Sequence, residues 1–247
     1  VRDAWRLATG TLTAVPVAAP RAVTPAVARS AMLLAPLAAL PLGLLVAGIG
    51  LAGRELGIPL SPLGFVAVGA LAAGSRALHL DGLSDTADGL TASYDVKRSL
   101  AVMKSGTAGP AGVVAVVVTL GAQALALGTL FGSLRGVVLA GVLVCLSRCA
   151  LAITCARGVP GARTDGLGSS YTGTVPRAAT VTVWIVAASV AGLVAPVPLR
   201  GVVAVALAAV VVVALVRRTV RRFGGVTGDV FGAAIELALA TLLVVAA

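Results

Sequence analysis

Asp81, Asp85 and Asp88 stand four and three residues apart in the stretch Arg76 to Tyr94, R-A-L-H-L-D-G-L-S-D-T-A-D-G-L-T-A-S-Y. On a helix turning about 100° per residue, that spacing puts the three carboxylates on one face. At about 6 Å and an effective dielectric of about 20, each adjacent pair repels by roughly 3 kcal/mol, which a bound divalent cation offsets. Hard oxygen donors with no cysteine or second histidine nearby favour Mg²⁺, with Mn²⁺ as the alternative, over zinc. A helix N-cap at Asp81 is the plainer reading, but it accounts for one aspartate and not for three. His79, the one histidine of the sequence, falls on the opposite side of an ideal helix, a place for packing or hydrogen bonding more than for a metal.

Other chemically capable residues lie in later polar segments. The glycine-rich loop Arg157 to Arg177 offers Arg163, Asp165, Tyr171 and Thr172 as ligands for a phosphorylated molecule, although a simple surface loop has a similar composition. Asp229 and Glu236 are seven residues apart and share a helix face; Glu236 falls inside an apolar run, where ionisable groups are usually functional or paired. Gly225, Gly228 and Gly232 beside them also suit close helix packing. Arg148 sits inside another apolar run, where snorkelling or a carboxylate or phosphate partner would compensate it. The segment Tyr94 to Lys104 reads as an interfacial helix with Val96, Leu100 and Met103 on one side and basic residues facing phosphates of lipid or substrate. After it, Ser105 to Gly112 is a small-residue turn, either an anion-binding backbone or a plain connector.

The elements that must position these groups are membrane helices. The 247 residues are 59% hydrophobic and 11% charged, with a mean hydropathy of +1.07, outside the range of soluble domains. Apolar runs long enough to span a bilayer lie at about 31–51, 60–78, 108–131, 136–156, 178–195, 201–216 and 230–247. The expected fold is therefore all-α, a polytopic integral membrane protein of about seven transmembrane helices with short interfacial helices. It forms one membrane-embedded catalytic domain over 1–247, with an interfacial N-terminal segment at 1–30, the aspartate loop at 76–107 and further cytoplasmic loops at 157–177 and 217–229. The N-terminal segment suits a surface helix or a disordered arm, and nothing in it looks catalytic. Cys145, Cys149 and Cys155 share the fourth span and read as packing residues, without a disulfide framework.

Net charge is +10, and its placement argues for membrane rather than nucleic acid. Arg2, Arg6, Arg21 and Arg29 precede the first span, and most other basic residues flank the even-numbered loops; only Arg54, Arg135 and Arg200 fall on the other side. The positive-inside rule puts the N-terminus and the aspartate loop in the cytoplasm.

H-L-D-G-L-S-D-T-A-D-G-L at His79 to Leu90, A-R-T-D-G-L-G at Ala162 to Gly168, and G-G-V-T-G-D-V-F-G-A-A-I-E at Gly224 to Glu236 together resemble the cobalamin synthase family, the adenosylcobinamide-GDP ribazoletransferases. An N-terminal L-T-x-x-P-V at Leu12 to Val17 extends the likeness to nearly the whole chain. Ala14 stands where the family carries arginine, and Ser105 and Thr107 stand where many members carry an aspartate and a basic residue. The resemblance implies a multi-pass enzyme of the bacterial inner membrane, with its active site facing the cytoplasm. It would join adenosylcobinamide-GDP to α-ribazole, or its 5′-phosphate, releasing GMP.

On that footing, Asp81, Asp85 and Asp88 would hold one or two Mg²⁺ ions on the diphosphate, and an aspartate of the cluster, Asp229 or His79 would accept the hydroxyl proton. Arg163, Asp165, Arg148, Lys104, Thr227 and Glu236 would contact substrate. Association with other corrinoid-pathway enzymes and the oligomeric state stay open. Two rivals are a CDP-alcohol-type phospholipid phosphotransferase, whose D-x-x-D-G-x-x-A-R spacing differs, and a non-enzymatic divalent-cation carrier, whose acids belong near mid-bilayer.

Overall fold

The computed structural model describes residues 1–163 and 167–247, and within them the regular secondary structure is helical apart from two isolated β-bridges. Helix α1 (Arg2–Leu12) precedes α2 (Pro25–Ala38) and α3 (Leu40–Glu55), which together form a 31-residue candidate span. Next, α4 (Leu60–Gly74) turns by 93° into α5 (Leu78–Ala92), followed by the short α6 (Val96–Val102) and by α7 (Pro110–Leu130). A further span, Leu134–Thr154, is α8 (Leu134–Leu146), a 3₁₀ turn at Ser147–Cys149 and α9 (Ala150–Thr154). Finally come α10 (Leu167–Tyr171), α11 (Arg177–Val194), α12 (Pro198–Phe223) and α13 (Gly228–Ala246). Six of these helical stretches are long and apolar enough to cross a bilayer, and the bent pair α4–α5 makes a seventh. The polytopic all-α architecture expected from the apolar runs is the one found.

Boundaries differ where local chemistry overrides hydropathy. The second apolar run was expected to reach Leu78, but α4 stops at Gly74 because Arg76 and Ala77 adopt left-handed backbone, at φ 57° and 53°. Such geometry in L-residues costs about 1–2 kcal/mol each. Here it is held by the Arg76 guanidinium donating to the Gly10 carbonyl and by Ala14 N–H donating to Gly74 O at 2.6 Å. The expected loop at 76–107 is mostly helix, α5 and α6. The expected loop at 217–229 shrinks to Gly224–Thr227, since arginines favour helix and α12 runs through all four to Phe223. Gly224, at φ 78°, then ends it. The N-terminal segment contains a helix, α1, that buries Ala4, Leu7, Ala8 and Leu12 against α2.

Small residues set the spacing of the spans. Gly43 on α3 faces Gly141 on α8 so closely that a Cβ on either would lie 2.5 or 2.7 Å from the other's carbonyl oxygen. Gly64 on α4 faces α7, where a Cβ would come within 2.0 Å of Ala124 O. Without a hydrophobic driving force between helices in lipid, this close backbone approach maximises dispersion. The span Leu134–Thr154 is almost wholly enclosed, and α13 packs on α5, α7, α9 and α12, so these two form the centre. Outward faces such as Val114, Val117 and Val118 on α7 and Val181, Ile185 and Val186 on α11 are exposed apolar surface suited to acyl chains. The three cysteines are buried and unpaired, as packing residues.

Gly64→Leu should therefore push α4 off α7 and destabilise the bundle by at least about 1–3 kcal/mol through overpacking. Gly48→Leu, where a Cβ meets nothing within 4 Å, should leave the thermal unfolding midpoint in detergent unchanged.

Candidate active site

Three separated segments meet where glycine lets backbones touch. A Cβ at Gly82, between Asp81 and Asp85 on α5, would lie 2.6 Å from Asp229 O at the start of α13. Nearby, a Cβ at Gly232 would lie 2.9 Å from His79 O, so α5 and α13 cross with a glycine on each side. The loop before α13 pairs with the loop after α9: Ala162 N–H donates to Val226 O, and Val226 N–H to Pro160 O, both at 2.9 Å. Gly225 fits there because a Cβ would sit 2.4 Å from the Gly161 carbonyl carbon. Gly168 closes the group, its Cβ position 2.9 Å from Gly228 N.

This crossing gathers acidic side chains. Asp85, half-buried, stands within electrostatic reach of Asp81, Asp229 and Asp88, with the Arg163 guanidinium the cation acting on it. Arg163 is held by donation to Leu100 O at 2.8 Å. Thr227 caps α13: its hydroxyl accepts from Val230 N–H at 3.4 Å and donates to Asp229 Oδ2 at 3.1 Å, fixing that carboxylate in the first turn.

Asp88 does a different job from the metal ligand expected of it. It is buried, and its two oxygens accept from Gly109 N–H at 2.7 Å and Gly112 N–H at 2.8 Å, the otherwise unpaired donors opening α7. Asp81 and Asp88 share a helix angle, but seven residues separate them by about 10 Å along the axis, which carries Asp88 past the crossing to α7. Among the described residues, no three His, Cys, Asp or Glu side chains lie close enough to enclose a metal by themselves. Asp81 and Asp229 are the carboxylates that act most strongly on Asp85, and a cation among them would need oxygens from substrate or water as well.

A cavity of about 280 Å³ opens at the crossing. Thr11, His79, Asp81, Arg163, Ser169, Tyr171, Thr227 and Asp229 form its polar lining, and Leu12, Met32, Leu151, Phe231 and Ile235 much of its apolar lining. Asp85 stands outside this lining. Thr11, Leu12 and Met32 bring α1 and α2 into the site, although the N-terminal segment showed no catalytic residue type; the Leu12 to Val17 motif was its one signal.

Three expected substrate ligands, Glu236, Arg148 and Lys104, lie outside the cavity lining. Glu236 is buried in α13, accepting from Gln123 Nε2 at 2.8 Å on one oxygen, with His79 Nδ1 3.8 Å from the other. Arg148 is fully buried at the 3₁₀ turn; it donates to Val144 O and Ser147 Oγ, both at 2.8 Å, and is electrostatically coupled to Glu236. The expectation that each needs a partner holds, but the partners are internal ones, Gln123 for Glu236 and Val144 O and Ser147 Oγ for Arg148, with a longer-range attraction between the two charges, and not the cavity. Gln123 was missed; a lone amide in the apolar run of α7 is the signal that points to such a partner. His79 has a buried ring and its backbone flanks Gly232, yet it lines the same cavity as Asp81 and Asp229, so it is not carried to the far side from the carboxylates as its helix angle implied. Lys104 is exposed just beyond α6 and is not in the cavity lining. Asp165 lies outside the described residues.

The family model described as cobalamin-5-phosphate synthase matches residues 4–247. A Nocardioides protein named adenosylcobinamide-GDP ribazoletransferase is 60% identical over 98% of this chain and 97% of its own length. Proteins of the same name from Frankia casuarinae and Syntrophobacter fumaroxidans are 37% and 36% identical, over 95% and 96% of this chain and 91% and 94% of theirs. No solved structure matches.

The different surroundings of the aspartates separate stability from chemistry. Asp88→Ala should lower the unfolding midpoint, at about 1–3 kcal/mol for each N–H left unpaired. Asp81→Asn, on an exposed and crowded carboxylate, should leave the midpoint unchanged or raise it, measured by thermal unfolding in detergent.

Proposed function

The chain belongs to the cobalamin-5-phosphate synthase family and is a membrane-embedded transferase of cobalamin synthesis, and from that premise we propose that it joins adenosylcobinamide-GDP to α-ribazole or α-ribazole 5′-phosphate. The products would be adenosylcobalamin, or its 5′-phosphate, and GMP. One observation carries this reading: Asp81 and Asp229, from distant parts of the chain, line one cavity with Arg163 beside them. Acidic groups held together against their repulsion, with a guanidinium at their side, suit a diphosphate bridged by a cation.

In this scheme a ribose hydroxyl oxygen other than the 5′-oxygen, which carries the phosphate in α-ribazole 5′-phosphate and in the 5′-phosphate product, bonds to the phosphorus that stays with the corrinoid, and the bond from that phosphorus to the GMP oxygen breaks. The hydroxyl proton passes to Asp81 or Asp229, the titratable carboxylates of the cavity. Arg163 draws the diphosphate oxygens in by charge-assisted hydrogen bonds and neutralises part of the leaving charge. Thr227 keeps Asp229 aimed, and Asp88 positions α7 behind α5.

Asp81, Asp85 and Asp229 would hold Mg²⁺, or Mn²⁺ through the same hard oxygens. Their chemistry fits, because Mg²⁺ is commonly bound through one or two carboxylates, water and substrate phosphate rather than by a closed protein cage. When bound, the ion neutralises charge developing on the transferred phosphoryl group and aligns its oxygens. The positive-inside pattern supports a cytoplasmic position for this face, in the bacterial cytoplasmic membrane.

Purified protein in detergent should form GMP and adenosylcobalamin from adenosylcobinamide-GDP and α-ribazole, stop on chelation with EDTA, and resume with Mg²⁺. Asp81→Asn and Asp229→Asn should each lower kcat by about 100-fold or more. An undiminished rate for Asp85→Asn, or turnover that survives chelation, would remove the metal from the scheme. A cysteine placed at exposed Ser105 should react with a membrane-impermeant thiol reagent only after spheroplasts are opened.

A further inference from the structure

We propose that the apolar floor of the cavity seats the flat aromatic base of the incoming nucleoside, so that α1 and α2 help choose the nucleophile while the aspartate crossing handles the diphosphate; this rests on the function proposed above. At about 280 Å³ the cavity is at the small end of ligand pockets, far too small for a corrin ring and its upper ligand. Its apolar floor is Leu12, Met32, Leu151, Phe231 and Ile235, side chains without hydrogen-bond groups, although Thr11, His79, Ser169 and Tyr171 also line the cavity. A substituted benzimidazole presents what such a floor accepts: two apolar faces and little polar edge.

The lining has aromatic-compatible geometry. Tyr171 meets Phe231 edge to face, centroids 6.3 Å apart and planes at 73°, which fixes the Phe231 ring. The Met32 thioether adds a polarisable contact that favours aromatic partners. Polar groups occur in the same cavity, Asp81, Thr227 and Asp229, so a base on the apolar side directs its ribose hydroxyls toward the carboxylates. Leu12 and Met32 come from helices outside the three charged motifs, which lets the floor vary without disturbing the crossing.

The test uses full-length protein in detergent, with free α-ribazole titrated calorimetrically in the absence of donor and KM measured for both substrates. Met32→Trp should weaken α-ribazole binding and raise its KM at least tenfold, with the KM for adenosylcobinamide-GDP within twofold of wild type; Met32→Leu should keep both within threefold. Leu12→Ala, which enlarges the floor, should shift preference toward ribosides of bulkier bases. A Met32→Trp protein with a wild-type unfolding midpoint and unchanged α-ribazole affinity, or a raised donor KM instead, overturns the proposal. If Met32→Trp does not fold, Leu12→Ala decides, and an unchanged base preference overturns the proposal. Wild-type protein that binds α-ribazole but releases no GMP from the donor would sink the reaction and leave the seat standing; GMP release with insensitive floor variants would sink the seat alone.

Discussion

Backbone contact between α5 and α13 is the constraint on which the site depends. Gly82 against Asp229 and Gly232 against His79 remove the side chains that would hold the two helices apart. The crossing places Asp81, Asp85 and Asp229 in one electrostatic neighbourhood, which no single stretch of sequence could do. The mutual repulsion of these carboxylates opposes it. That penalty is tolerable because α13 is locked among α5, α7, α9 and α12, and because the loops flanking Gly161 and Val226 are tied by backbone hydrogen bonds. Rigid apolar spans thus bear the strain of a crowded polar end.

Beneath the crossing lies a second polar layer with a different task. Glu236, Gln123, His79 and Arg148 come from α13, α7, α5 and the 3₁₀ turn of the fourth span, and all four are buried. A charge in this region costs several kcal/mol when alone, so the carboxylate leans first on the Gln123 amide and then on the attraction of the Arg148 guanidinium. Such a layer ties together helices whose apolar faces would tolerate sliding. Its break in regular helix at Ser147–Cys149 is where the Arg148 side chain folds back onto Val144 and Ser147.

How much of this was legible in the sequence follows from which physical rules act locally. Spans were readable because a bilayer demands about 20 consecutive apolar residues, and the runs ending at Phe131 and Ala195 coincide with α7 and α11 to within two residues at either end. The convergence of the Asp81, Ala162 and Gly224 motifs on one side followed from alternation of the spans. Helix angle alone could not separate Asp88 from Asp81, since the difference lies along the axis and depends on where α7 begins. The partner of Glu236 was also hidden, because Gln123 is remote in the chain and pairing across helices leaves no periodic trace. Thr11, Leu12 and Met32 were overlooked for the opposite reason: they are ordinary residues made relevant by position.

The elbow between α4 and α5 makes the amino terminus more than an appendage. Arg76 and Ala77 hold an unfavourable backbone shape there, and the contacts gripping it reach Gly10 and Ala14, at the end of α1 and just past it. Loosening that clasp would let the elbow relax toward a straighter path and swing the acidic helix away from Asp229. The first fourteen residues therefore act as a brace, setting the angle at which Asp81 and Asp85 meet Asp229.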